Sequence, residues 1–238
     1  MTPISRRSFV SRSAASLTAL GMLAGVSREA DAQLVWKGKE WKLASFQKLV
    51  SDPARIKQVY DVARIGDGKF RNNIKNSLNG LQFGFDVPKS QIRIVAALHG
   101  PANMMNFDDF IWNKYQIGEW LKVIDPETGK PAVRNIFFSA KGPLDAAAFA
   151  KDPDDEHSVY QDTSMQALQA RGVHFLSCHT AAEEQARALV RRSKLTQVPE
   201  DIVKDMLAHA LPGVLVVASM VAAIALLQAE GRFTYITV

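Results

Sequence analysis

Gly172-Val173-His174-Phe175-Leu176-Ser177-Cys178-His179-Thr180-Ala181-Ala182-Glu183 is the stretch on which the fold turns. Its first seven residues are a short apolar run, the signature of a strand covered on both faces. The next residues have the Thr-x-x-Glu spacing of a capping box and predict a helix from Thr180 through Val190. Upstream, Ser164 to Arg171 reads as a helix, so a helix, a buried strand and a second helix follow one another directly.

The same rhythm extends both ways. Gln58 to Ala63 alternates like a strand, and Phe70, Ile74, Leu78 and Leu81 recur at helical spacing. Gln91 to Leu98 (QIRIVAAL) is a strand ending at His99-Gly100-Pro101. Downstream, Pro199 to Ala210 predicts a helix with proline near its start, broken by Leu211-Pro212-Gly213. Val214 to Val217 is a buried strand, Val221 to Glu230 an apolar helix stopped by Gly231, and Phe233 to Ile236 a last strand. Continuous apolar strands separated by helices predict a three-layer α/β, flavodoxin-like fold with a mostly parallel sheet. The 14 residues from Val214 to Leu227 carry no charge but fall short of the ~20 that span a bilayer.

Three segments stand outside that rhythm. Residues 1–32 have paired arginines in Ser5-Arg6-Arg7-Ser8-Phe9, an apolar run from Ala14 to Val26, and the small-x-small sequence Ala30-Asp31-Ala32. These are the parts of a twin-arginine export signal and predict a periplasmic destination. Residues 33–52, polar with scattered aromatics, read as an N-terminal arm. Residues 53–238 read as a single α/β domain with an insertion at about 121–162. The insertion holds the turn signal Asp125-Pro126-Glu127-Thr128-Gly129-Lys130-Pro131 and the acidic run Asp152-Pro153-Asp154-Asp155-Glu156, which reads as a solvated loop.

The chain has 238 residues and a formal charge of +5, with one cysteine. Residues 1–32 hold four arginines and two acids, so without them the charge falls to +3. That excludes a nucleic-acid footprint, which needs a clustered basic excess. The single cysteine excludes an internal disulfide and a CxxC pair. No GxSxG, Walker A, GxGxxG or HExxH pattern is present, so hydrolase and kinase readings find no support and no cofactor is expected. Met104-Met105 near His99 could form a soft-metal site with Cys178, but ordinary packing is the better reading and no metal is expected.

In open parallel sheets ligands sit beyond the carboxyl ends of the strands. Two strand ends carry reactive residue types: His99, and the pair Cys178-His179. With Thr180 as N-cap, Cys178 would lie in the positive field of a helix start, which favours the thiolate, and His179 or His99 would act the same way. A cysteine ending an apolar strand also reads as a small buried hydrophobe. His174, inside the strand, reads as a structural histidine.

Gly172 to Cys178, Leu211 to Val217 and Leu226 to Ile236 together resemble the DsrE/DsrF-like sulfur-relay family, and the His99-Gly100 strand end and Asn73 to Leu81 are similar to its N-terminal half. The resemblance spans about residues 57–238, apart from the insertion. It implies a flavodoxin-like layer structure, a homo-oligomer, and a persulfide carried at Cys178 for exchange with a sulfur donor or acceptor protein. The expectation is therefore sulfur handling at Cys178 with His99 and His179 beside it, or a non-catalytic ligand-binding or assembly module in which Cys178 only packs.

Overall fold

A computed structural model describes residue 41 and residues 43–193 and 196–238. The export signal expected at residues 1–32 lies outside the described residues, as do positions 33–40 and 42 of the expected arm. The rest of that arm is structured. Leu43–Val50 forms α1, which buries Phe46, Leu49 and Val50. Phe46, one of those scattered aromatics, thus belongs to an amphipathic helix rather than to a polar lead-in.

Five parallel strands form the sheet: β1 Ile56–Val62, β2 Ile92–Leu98, β3 Val173–Cys178, β4 Leu215–Val217 and β5 Thr234–Thr237. Their order is β4-β3-β2-β1-β5. Successive side chains in a strand point to opposite faces, so each strand feeds two cores. Val59, Val95, Ala97, Leu176, Cys178 and Val217 face one side. Tyr60, Val62, Ile94, Ala96, Leu98, Val173 and Phe175 face the other. That two-sided burial explains why the strands read as unbroken apolar runs.

Helices complete the layers. α2 (Lys69–Asn79) packs Phe70, Ile74 and Leu78 on the second face. The long link from β2 to β3 stays there too, as the 3-10 turn Gly100–Asn106, α3 (Asp109–Lys114), α4 (Ile117–Leu121), α5 (Ala146–Phe149) and α6 (Met165–Ala170). α7 (His179–Ser193) and α8 (Pro199–Ala208) follow β3 and add Ala182, Leu189, Ile202 and Met206 to that core. α9 (Met220–Ala229) follows β4 and crosses to the first face, beside α1, with Met220, Ala223, Ile224 and Leu227. The chain is a three-layer α/β fold of the flavodoxin-like kind.

The segment at 121–162 divides in two. Its first half is built into the second core: Ala132 and Phe137 are buried there, and the Asn135 amide donates to Met105 O and Phe107 O at 2.8 and 2.7 Å. The turn is closed by Asp125, whose carboxylate takes both Arg134 Nε and Nη2. These charge-assisted bonds hold its pKa below the usual carboxylate range. Its second half gathers a small cluster of Val159, Tyr160, Ala140, Leu144 and Phe149 with Ala167. Asp152, Asp154, Asp155 and Glu156 are exposed. No helix among the described residues is long and apolar enough to cross a membrane.

Candidate functional site

The helix after β3 leaves toward one face of the sheet and the helix after β4 toward the other. Adjacent strands whose connections diverge in this way open a crevice at their carboxyl ends, the usual ligand position in such sheets. Cys178, the last residue of β3, stands there.

The first turn of a helix leaves backbone N–H groups without intrahelical acceptors. Two such groups meet at Cys178 Sγ. Ala181, the third residue of α7, donates at 3.4 Å, and Met220, the first residue of α9, donates at 3.3 Å. Cys178 therefore occupies the cap position of α7, with its sulfur in place of the usual hydroxyl or carboxylate. The expectation that Thr180 caps this helix is corrected. α7 starts at His179, and the Thr180 hydroxyl instead donates to Ala218 O at 3.0 Å, tying α7 to the chain after β4.

The electrostatic expectation is corrected as well. Cys178 is 5% exposed. Burial pushes its thiol pKa above the ordinary value, and the N–H groups of Ala181 and Met220 offset only part of that. The resting group is a thiol. Above the ordinary thiol range the unfolded chain loses this proton while the folded chain keeps it, so stability falls as pH rises. Urea midpoints measured between pH 7 and pH 10 should fall more for the wild type than for Cys178→Ser.

Beneath the sulfur lies a polar network that the sequence did not reveal. Asn103 in the 3-10 turn is fully buried. Its Oδ1 accepts from Cys178 N at 3.0 Å and Ser177 Oγ at 2.9 Å, and its Nδ2 donates to Cys178 O at 3.2 Å. Asn106 Nδ2 donates to Leu176 O at 3.1 Å, and the Gln185 amide on α7 donates to Gly100 O. This network fixes the β3 terminus against the β2 terminus. The sequence signal for it was two asparagines in an otherwise apolar turn.

The two expected histidines are placed differently. His99, at the end of β2, directs Nε2 to Asp61 Oδ1 at 2.7 Å, and Tyr235 donates its hydroxyl to Asp61 Oδ2 at 2.5 Å. His179 is buried at the start of α7, with Nδ1 3.5 Å from Glu183 Oε1 and its ring edge-on to Trp41 at 5.9 Å. It lines a cleft of about 270 Å³ with Glu183, Arg187, Glu200 and Lys204 between α7 and α8. Asp61 and Tyr235 were missed because only the register of β1 with β2 and β5 brings them to His99.

On the other side of Cys178 an apolar groove of about 110 Å³ runs between α1, β4 and α9, lined by Phe46, Val217, Ser219 and Leu226 among others. Met104 and Met105 are fully buried in the core on the other face of the sheet from Cys178. Among the described residues no cluster of three His, Cys, Asp or Glu side chains could hold a metal ion. No family model, curated protein or solved structure matches the chain.

Proposed function

We propose that the chain is an exported DsrE/DsrF-like protein that handles sulfane sulfur at Cys178. The observation that carries this reading is the convergence of the Ala181 and Met220 N–H groups on Sγ. Two donors aimed at one sulfur stabilise the thiolate as it forms. In the exchange, Cys178 loses its proton and Sγ attacks the outer sulfur of a donor R–S–SH. An S–S bond forms at Cys178, the donor's S–S bond breaks, and the leaving R–S⁻ takes a proton to become R–SH. No second cysteine is needed.

The reading extends to partners and location. The twin-arginine N-terminus supports export to the periplasm. The outer face of α9, where Val221 is 78% and Leu226 40% exposed, supports assembly with further copies of the chain.

Intact-mass measurement after incubation with inorganic polysulfide should show a gain of about 32 Da, the mass of one sulfur, that Cys178→Ser abolishes. A wild-type chain that gains no mass would refute sulfur handling. The burial of Cys178 favours a second reading, a binding or assembly module in which the thiol only packs. That reading expects the wild type to resist the donor as the serine variant does.

A further inference from the structure

Four neighbouring strands carry a row of polar side chains toward their carboxyl ends on one face of the sheet. The register pairs Val59 with Tyr235, Asp61 with Ala97, and Leu98 with Ser177. His99 and Cys178 therefore occupy the next rung, on strands about 4.8 Å apart. The His99 backbone is still extended, and its N–H donates to Val62 O at 3.0 Å, so β2 keeps its pleat to that point. Alternation puts His99 on the face of Val95 and Ala97, Asp61 on that of Val59, and Cys178 on that of Leu176. The order across the edge is Tyr235, Asp61, His99, Cys178.

The first three are linked. Both oxygens of Asp61 are engaged, one by the Tyr235 hydroxyl and one by His99 Nε2. The bond to Asp61 raises the Tyr235 pKa, so the phenol stays a donor. A carboxylate on Nε2 fixes the ring as the tautomer with its proton there, which leaves Nδ1 as the basic atom. Sγ is buried and protonated, whereas the His99 side chain, one rung away on the neighbouring strand, is 31% exposed.

We propose that Asp61, backed by Tyr235, is a positioning residue that holds His99 as the general base and acid for exchange at Cys178. This inference rests on the sulfur-handling reading. His99 Nδ1 takes the proton from Sγ as the thiolate attacks the donor's outer sulfur. The resulting imidazolium is paired with Asp61, and it returns the proton to the leaving R–S⁻. The ring ends as it began, and no oxidant or reductant is consumed.

The test follows the rate of the mass gain on the full chain with inorganic polysulfide. His99→Ala should slow it about 100-fold and Asp61→Asn at least about 10-fold, in the range removed with a general base. Tyr235→Phe should slow it less. His99→Gln, which keeps a donor for Asp61 but has no basic atom, should be as slow as His99→Ala. Added imidazole should restore much of the rate to His99→Ala and none to Asp61→Asn, where the ring still fills its place. A wild-type rate in Asp61→Asn, wild-type rates in both His99 variants, or slow His99 variants that imidazole does not rescue, would overturn the positioning role and leave sulfur handling standing. A wild-type chain that gains no mass would overturn both.

Discussion

Replacing Asn103 with leucine should cost about 3–5 kcal/mol of stability, because it strands several buried polar groups at once. Asn103 is fully buried, and one amide serves the backbone of Cys178 on both its N–H and C=O sides as well as the Ser177 hydroxyl. Leucine has similar volume but offers no partner. Each buried group left unpaired costs about 1–3 kcal/mol, while the exchange of a polar for an apolar side chain returns less than that in a site already closed to water. Urea denaturation should show the loss as a lower midpoint. Because Asn103 also fixes the peptide that carries the thiol, the variant should slow sulfur uptake in the fraction that remains folded. A leucine variant as stable as the wild type would mean that the network is not buried as described.

The second large effect is expected far from the thiol. Gly118→Ala in α4 should destabilise the protein by about 3 kcal/mol, at the upper end of overpacking costs. In an open helix the same change gains up to about 1 kcal/mol. Here a Cβ at Gly118 would stand 2.2 Å from Ala132 O and 2.3 Å from Ala132 N. Those are backbone atoms whose segment is pinned by the bond from Ala132 N to Val123 O at 2.9 Å. Neither can yield without breaking the packing of the 121–138 segment. Gly80 supplies the control. It continues α2 with helical φ and ψ, and a Cβ there meets nothing within 4 Å. Gly80→Ala should be neutral or stabilising, and equal melting temperatures for the two variants would contradict the account.

These two sites mark where sequence reading ends. The five strands and the helices α2 and α6 to α9 were legible because two-sided burial makes strands apolar throughout and helices periodic, whereas the short α3, α4 and α5 in the link from β2 to β3 were not. Leu43–Val50 was not, since eight residues hold too few turns for a period to stand out among the polar residues around them. The cap of α7 was misassigned because threonine is the commoner cap, and no local pattern says that a thiol takes the place. Cys178 itself could be singled out from the sequence, along with the helix start beside it. The desolvation that outweighs the helix field could not, because it depends on α1 and α9, which arrive from the two ends of the chain. The pairing of His99 with Asp61 likewise waits on strand order, which no single segment encodes.

The central claim is that the folded site promotes sulfur transfer to Cys178 despite burying it. Any exposed thiol accepts sulfane sulfur slowly, so the decisive quantity is a ratio of rates. The mass gain of about 32 Da is followed with the same polysulfide donor at the same pH, once for the folded chain and once for the chain unfolded in urea. The account predicts a faster gain in the folded chain, because the Ala181 and Met220 donors and the His99 base exist only there. A slower gain in the folded chain would contradict it and leave Cys178 as a packed side chain.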